Sequence, residues 1–239
     1  MGIKKSTVIA IILLWGAGIN VWSDEVDNGQ TQHLIKAGWM EYAKGNYNGA
    51  KDIWMPLAAQ GYSQAQFILG FMFNHGKGVA KNIDESVKWY QKAAQQGFAA
   101  AQNNLGLLYF RGEGIPADAG AAFHWFGKAA LQGNLQAQTS LGTMYALGEG
   151  VEQNYVRAFE WFYQAAEQGY AQAQFNLGLM YGNGKGVLPN YDSAIRWFKK
   201  ALEQDHPDAE QQLQAMYEMK KQKAPKVAPP PWYAIPQFG

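Results

Sequence analysis

Four glycine-rich loops are the segments of this sequence whose residue types could bind a phosphate. The paired glycines of the pattern Gly-x-Gly stand at 76 and 78, 112 and 114, 148 and 150, and 184 and 186. The loop from Gly112 to Ala117 also matches the loose Gly-x-Gly-x-x-Ala pattern of dinucleotide-binding proteins. In those proteins a strand precedes the loop, whereas here each loop follows an apolar stretch with helical spacing. We therefore interpret the glycines as hinges of the fold.

Residues that could support catalysis or hold a metal are scattered along the chain. There is no cysteine, which excludes disulfides, thiolate chemistry and a lipoprotein anchor. The four histidines, at 33, 75, 124 and 206, do not pair at the spacing of a metal site. His-Glu-x-x-His and Gly-x-Ser-x-Gly are absent, and no serine has a lysine three residues later. We predict a non-enzymatic protein with no catalytic residue, metal or cofactor; an envelope hydrolase with a site assembled from distant residues is the alternative.

The charge balance gives no global attraction to nucleic acid. The sequence has 20 Lys and Arg against 19 Asp and Glu, a formal charge of +1. Removal of the first 23 residues takes away Lys4 and Lys5 and no acid, which leaves −1. A nearly neutral chain does not attract polyanions over long range, so no nucleic-acid partner is predicted. The basic cluster from Lys220 to Lys226 is interpreted as a solvated helix end.

Residues 1–23 are typical of an export signal. Lys4 and Lys5 precede an apolar run from Val8 to Trp15, and small residues suit cleavage after Ser23 or, as a second option, after Gly18. An uncleaved membrane anchor is the alternative reading, but the uncharged stretch 7–22 is shorter than the ~20 residues of a membrane span. The sequence therefore predicts a periplasmic protein, or a secreted one, that meets the membrane only through an uncleaved signal.

A repeat of 36 residues organises the chain. The Leu-Gly glycines Gly70, Gly106, Gly142 and Gly178 are each 36 residues apart, and so are Trp89, Trp125, Trp161 and Trp197. A fixed period across several columns indicates a repeat architecture. We predict four units at 63–98, 99–134, 135–170 and 171–206, preceded by a degenerate repeat at 31–62. A capping helix at 207–222 and a Pro-rich tail at 223–239 follow.

Each unit is predicted to form two helices joined by its Gly-x-Gly loop. Core-type residues recur at helical spacing in both halves of each unit. They include Gln102 and Gly106 in a first helix and Phe126 in a second. Glycine suits a helix end where the chain turns through positive φ. The second helices follow the N-cap residues Asn82, Asp118, Asn154 and Asn190. Glu85 stands three residues after Asn82, which predicts a capping box in that unit.

These columns resemble the Sel-one-like repeat family, a relative of the tetratricopeptide repeat. The segment from Ala171 supplies its pattern with Gln174, Leu177-Gly178, Tyr181, Gly184 and Trp197. Two residues depart from the pattern: Phe73 replaces a tyrosine and Asp205 replaces a closing glycine. The resemblance implies an all-α, right-handed α-solenoid with a concave surface lined by the first helices. It also implies a binding role, and bacterial members are often exported adaptors.

The partner is expected on the side of the first helices opposite the core stripe. Twelve residues there vary between units while the core columns repeat, as expected of a groove whose units each meet a different part of a protein or peptide. The predicted partner-binding residues are Phe67, Phe71, His75, Asn103, Leu107, Phe110, Arg111, Thr139, Thr143, Phe175, Leu179 and Asn183. Variation could instead mark tolerant surface, and the large apolar members could pack against neighbouring units.

The tail carries prolines together with Trp232, Tyr233 and Phe238. Prolines disfavour helix and favour extended polyproline geometry. Trp232 to Gly239 is therefore predicted to be a recognition element or a segment that docks on its own solenoid. Taken together, the sequence predicts a scaffold or adaptor protein of the bacterial cell envelope. The alternatives are a periplasmic immunity protein that neutralises an antibacterial toxin and a secreted host-interaction factor.

Overall fold

The computed structural model describes residues 29–223 of the chain. The predicted signal segment 1–23 and tail residues 224–239, including Trp232 to Gly239, lie outside the described residues. Within 29–223 the chain forms eleven α-helices and no strand. The helices are α1 (Gly29–Ala43), α2 (Tyr47–Ala59), α3 (Ser63–His75), α4 (Ile83–Gln95), α5 (Ala99–Arg111), α6 (Ala119–Leu131), α7 (Leu135–Leu147), α8 (Tyr155–Glu167), α9 (Ala171–Asn183), α10 (Tyr191–Leu202) and α11 (Ala209–Lys223).

The helices belong to two compact units, which meet in sequence between Gln164 and Ala165. In unit 1 each helix from α1 to α7 packs against the next one along the chain. In unit 2, α9 packs against α10, and α11 contacts both. Consecutive helices in contact, with first helices of equal length recurring every 36 residues, are the pattern of an α-solenoid. The predicted all-α fold class of helix-turn-helix repeats is confirmed.

A glycine in each first helix receives an aromatic ring from the second helix. Gly70 faces Tyr90, and the pairs Gly106–Phe126, Gly142–Phe162 and Gly178–Phe198 repeat the contact. A Cβ atom at these four glycines would lie 2.5, 2.8, 2.6 and 2.5 Å from the nearest ring atom. Only a hydrogen fits in that space, so the two helices approach closely and the ring is buried. Burial of this kind raises the pKa of Tyr90 to about 12.

The degenerate N-terminal repeat keeps the same contact through a shifted residue. Gly38 of α1 faces Trp54, and a Cβ there would lie 2.3 Å from the indole. The indole Nε1 also donates a hydrogen bond to the carbonyl of Ile35 at 3.2 Å. The α1–α2 connection spans residues 44–46, whereas the α3–α4 connection spans 76–82 and is four residues longer. The glycine is displaced by one helical turn to match the shorter connection, which is why the 36-residue period did not reveal it.

The turns between helices form as the sequence predicted. The first glycine of each pair ends its helix in the left-handed region, with φ of +65° at Gly76, +69° at Gly112, +77° at Gly148 and +67° at Gly184. The side chains of Asn82, Asp118, Asn154 and Asn190 each accept a hydrogen bond from a backbone N–H three residues later. Both the hinge interpretation of the glycines and the four N-caps are confirmed.

The predicted capping box at Asn82 is wrong in its second half. In a capping box the Glu85 carboxylate would accept a hydrogen bond from the backbone N–H of Asn82. That N–H donates instead to the carbonyl of Phe73 at 2.9 Å. The carboxylate of Glu85 accepts a hydrogen bond from Lys88 at 2.7 Å. The loop therefore satisfies the cap donor from the preceding helix, and the glutamate is free to form a pair with the lysine on its own helix.

Buried glutamines join three successive helices by hydrogen bonds. The amide nitrogen of Gln102 donates to the carbonyl of Ala94 at 3.0 Å, and its oxygen accepts from Gln132 at 2.7 Å. Gln66 makes the same two bonds, to Ala58 and Gln96, and so does Gln174, to Ala166 and Gln204. Each of these three carbonyls also accepts a hydrogen bond from the glycine N–H three residues later, so the glutamine adds a second bond that ties the following repeat to the end of the second helix.

The last repeat has no glycine in the turn that follows its second helix. Asp205 stands where the earlier units have Gly97, Gly133 and Gly169, and it adopts φ of +57°. Aspartate is one of the few residues other than glycine that tolerates this region, so the departure from the family pattern leaves the turn intact. In α11 the exposed Gln214 occupies the position of the ring-receiving glycine. A side chain there would block the close approach of a further aromatic ring, and α11 is the last helix of the described residues.

We expect Gly106→Ala to lower the free energy of unfolding by up to about 2 kcal/mol. Overpacking against the Phe126 ring costs about 1–3 kcal/mol, which outweighs the gain of about 1 kcal/mol in helix propensity. Gly127→Ala is the matched control because nothing lies within 4 Å of a Cβ at that helical glycine. It should raise stability. Urea denaturation followed by circular dichroism measures both, and changes of the same sign would contradict the close-contact role.

We expect Gln102→Met, which keeps the side-chain volume, to destabilise the protein by about 1–3 kcal/mol. The substitution removes two buried hydrogen bonds, each worth about 0.5–1.5 kcal/mol. The Ala94 carbonyl keeps its bond from Gly97, and the Gln132 amide keeps its bond to the Lys128 carbonyl. Gln95→Met, at an exposed position of α4, should change stability by less than about 0.5 kcal/mol. Equal effects of the two substitutions in the same urea titration would show that the glutamine bonds contribute little.

Candidate functional site

The first helices carry almost no formal charge. Arg111 is the only Asp, Glu, Lys or Arg residue in α3, α5, α7 and α9, which are 13 residues long each. The second helices α4, α6, α8 and α10 all contain such residues. The surface that the first helices present is therefore built from amides, hydroxyls and apolar groups. We call the outward side of α3, α5 and α7 the first-helix face of unit 1, and that of α9 the first-helix face of unit 2.

Four of the twelve predicted residues are exposed at the ends of these helices. They are His75, Phe110, Arg111 and Asn183. Phe110 is 38 % exposed, so part of this apolar residue is available for a contact. The guanidinium of Arg111 lies 3.6 Å from Glu113 Oε1, and both side chains are about half exposed, so the pair contributes little to stability.

Four further residues are half-buried, with one side on the core and one side on the first-helix face. They are Phe71, Leu107, Thr143 and Leu179. The Phe71 ring stacks on the His75 imidazole with 4.1 Å between ring centroids, and a backbone carbonyl of the same phenylalanine lies 3.0 Å from His75 Nδ1. The hydroxyl of Thr143 donates to the carbonyl of Thr139 at 3.1 Å. These contacts fix the side chains in place before any partner arrives.

Of the remaining four residues, three are buried, so their expected position on an open face is wrong, and the fourth, Phe67, is half-buried. Asn103, Thr139 and Phe175 are 2, 6 and 9 % exposed, and Phe67 is half-buried between two rings. For the two phenylalanines, a ring that stands just before the next first helix in the sequence packs over the side chain. Phe98 lies 5.2 Å from Phe67, and His206 stacks on Phe175 at 4.3 Å between centroids. The alternative that the large apolar members pack against neighbouring units holds for Phe67 and Phe175.

In unit 1 the buried column also joins adjacent first helices. The Asn103 amide donates to Gln136 Oε1 at 2.9 Å, which links α5 to α7. Leu147 ends α7 and stands in the repeat column of His75 and Arg111, with 58 % of its surface exposed. The predicted set did not include it, although the 36-residue spacing places it there. Phe110 and Leu147 thus present apolar groups from two neighbouring helices of the same face.

Other features of the described residues do not build a chemical site. No group of three or more His, Cys, Asp or Glu within 29–223 is arranged to hold a metal ion. No helix in that range is long and apolar enough to cross a bilayer. A groove of about 410 Å³ between α1 and α2 is lined by residues such as Leu34, Asp52 and Pro56, and it contains none of the twelve predicted residues.

Comparison with known families identifies the chain. Residues 63–98, 99–134, 135–170 and 171–206 each match the family described as Sel1 repeat. The four matches cover more than half of the sequence, so the chain belongs to the Sel1 repeat family, as its resemblance to Sel-one-like repeats predicted. Proteins of this family generally mediate protein–protein interactions.

Solved structures of the same class share the fold. The chain is 34 % identical to a Sel1 repeat protein from Oxalobacter formigenes, with a TM-score of 0.73 and coverage of 78 % of this chain and 74 % of that one. It is 31 % identical, with a TM-score of 0.75, to a protective antigen of uropathogenic Escherichia coli with an SLR fold. There the alignment covers 92 % of this chain and 45 % of the antigen, so this chain spans less than half of it.

A curated relative matches a single short segment. Chitin synthase regulator SKT5 of Saccharomyces cerevisiae is 48 % identical over 42 residues, which are 17 % of this chain and 6 % of the yeast protein. A match of this length reflects about one repeat. It therefore bears on the repeat fold and leaves the partner of this chain open.

We expect Phe67→Ala to destabilise the protein by about 2 kcal/mol or more, because the ring packs against Phe98 and Tyr90. Phe110→Ala should cost less than about 1 kcal/mol, since that ring is already partly in water. Thermal and urea unfolding of the two variants separates core residues from candidate contact residues. A larger loss from Phe110→Ala would reverse this assignment.

Proposed function

We propose that this protein is a non-enzymatic adaptor of the bacterial cell envelope that binds another protein through its first-helix faces. The observation that carries the proposal is the charge pattern. The first helices place a neutral surface with exposed or half-exposed apolar groups beside second helices that carry the charges. Depletion of charged residues is a feature of the central part of a protein interface.

The distribution of repeated and variable columns supports the same assignment. The glycine–ring contact and the buried glutamines recur between units because they hold the fold. The column that ends the first helices changes instead, through His75, Arg111, Leu147 and Asn183. A repeat protein that binds one partner along its length needs a different side chain at each contact, while its packing residues stay constant.

The neutral face also defines how a partner would be selected. Specificity would come from shape, apolar contacts and amide hydrogen bonds, since Arg111 is the only formal charge these helices offer. Long-range electrostatic steering would be weak, so association should depend little on ionic strength. A partner segment with few charges fits this surface best, because charges buried against it would lose water without gaining a counter-ion.

The proposed location is the periplasm, with secretion as the alternative. It is supported by the positive residues, apolar run and small residues of the segment 1–23, which have the order of an export signal. The absence of cysteine in the sequence is compatible with an oxidising compartment. Cell fractionation of the full chain and of a form without residues 2–23 tests the location directly.

Photo-crosslinking in cells tests the binding face. A photoreactive residue at Phe71, Leu107 or Leu179 should each capture one dominant protein, identified by mass spectrometry. Gln95, exposed on α4, is the control position and should capture much less. Because the face is neutral, capture in extracts should change less than about twofold between low and high salt.

Two outcomes would contradict this proposal. Equal capture from Gln95 and from the first-helix positions would remove the case for the face. Recovery of the protein in the medium with no envelope product would contradict the periplasmic adaptor and favour the secreted host-interaction factor. A captured antibacterial toxin, with cells protected from that toxin alone, would define the adaptor as an immunity protein.

A further inference from the structure

The first-helix face of unit 2 carries no formal charge and has exposed or half-buried residues. Leu179 is half-buried in it, and Gln172 and Asn183 are exposed on either side. The side-chain amide of Gln172 donates to Asn176 Oδ1 at 3.3 Å, so polar groups of this face are partly paired among themselves. No Asp, Glu, Lys or Arg occurs anywhere in α9. The face therefore suits an uncharged, partly apolar segment.

The chain leaves unit 2 beside this face. Helix α11 contacts α9, and Met219 is the 36-residue counterpart of Asn183 at the end of the first-helix row. Helix α11 continues to Lys223, one turn beyond that position. The segment that follows thus starts next to the end of the α9 face.

The segment 227–239 is uncharged and partly apolar in composition, which matches the uncharged surface of α9. Residues 227–239 read VAPPPWYAIPQFG and contain no Asp, Glu, Lys, Arg or His. Trp232, Tyr233 and Phe238 offer large apolar groups, and the prolines limit the conformational entropy that binding removes. An uncharged segment loses no ionic hydration on a charge-free surface, so the two match electrostatically.

The reach of the segment is sufficient. Trp232 is the ninth residue after Lys223, and an extended proline-rich chain advances about 3.1 Å per residue, or roughly 28 Å over these nine steps. Helix α9, with 13 residues, is about 20 Å long at 1.5 Å per residue. Neighbouring helix axes are about 8–10 Å apart. Trp232 can therefore reach any part of the α9 face from the end of α11.

We propose that residues 227–239 bind the first-helix face of unit 2 in the same chain and cover Leu179. The second helix α10 is a poorer site, because Asp192, Arg196 and Lys200 would have to be desolvated. This inference rests on the proposed function, since the covered surface is one on which the external partner would bind. The segment then competes with that partner and lowers its apparent affinity until displaced.

A photoreactive residue at position 179 of the purified full chain tests this inference. Irradiation of dilute protein should give an intramolecular crosslink between position 179 and residues 227–239, located by mass spectrometry of the monomer band. Leu188 is the matched control, because it is apolar, 84 % exposed and in the same unit but outside α9. Its crosslink to the segment should be at least fivefold weaker. The double variant Trp232→Ala/Tyr233→Ala should reduce the Leu179 crosslink at least threefold.

Three results would overturn the inference: equal crosslinking from Leu188, no crosslink to 227–239 from Leu179, or a crosslink found only in covalent dimers. Deletion of residues 224–239 separates this failure from that of the proposed function. If the segment covers the face, deletion should increase partner capture from Leu179 in cells by several fold. Unchanged capture would leave the adaptor intact and contradict the competing tail, whereas no capture from Phe71, Leu107 or Leu179 in either form would remove the adaptor itself.

Discussion

The fit of an aromatic ring onto a helical glycine is the contact on which the other features of this fold depend. At Gly106 the missing side chain lets the Phe126 ring lie directly on the first helix. The close approach brings Gln102 within hydrogen-bond distance of two neighbouring helix ends. Both sets of contacts lie on the inner side of the first helix, and the exposed residues at its C-terminal end take no part in them.

Because the packing residues and the exposed residues of a first helix are different residues, the proposed binding surface can vary between repeats. A change at Arg111 or Asn183 alters an exposed end of a helix and disturbs no glycine–ring contact or buried glutamine. The half-buried residues Phe71 and Leu107 anchor the face to the core, so that it is pre-organised for a partner. The low charge of the first helices then makes contact shape, rather than electrostatic attraction, the source of selectivity.

Helix bounds, turns and caps were predictable because each depends on residues close together in the sequence. Asn82 caps the helix that starts one residue later, and Gly76 turns the chain where its own helix ends. The position of Gly38 was not predictable from the period, since it depends on the length of the α1–α2 connection. The burial of Asn103 was missed for a related reason: a projection onto one isolated helix ignores the residues of the neighbouring repeat that cover it.

The sequence by itself determined the repeat, the helical class and the family, because a fixed period of glycine, tryptophan and asparagine encodes local geometry that recurs in every unit. Only the tertiary structure decided which outward residues are free to meet a partner. Phe175 and Leu179 are one helical turn apart, yet His206 covers the first, which is buried, and the second is half-buried. Exposure is a property of packed neighbours, and the packing between successive repeats assigns Phe110 and Leu147 to the surface and Phe175 to the core.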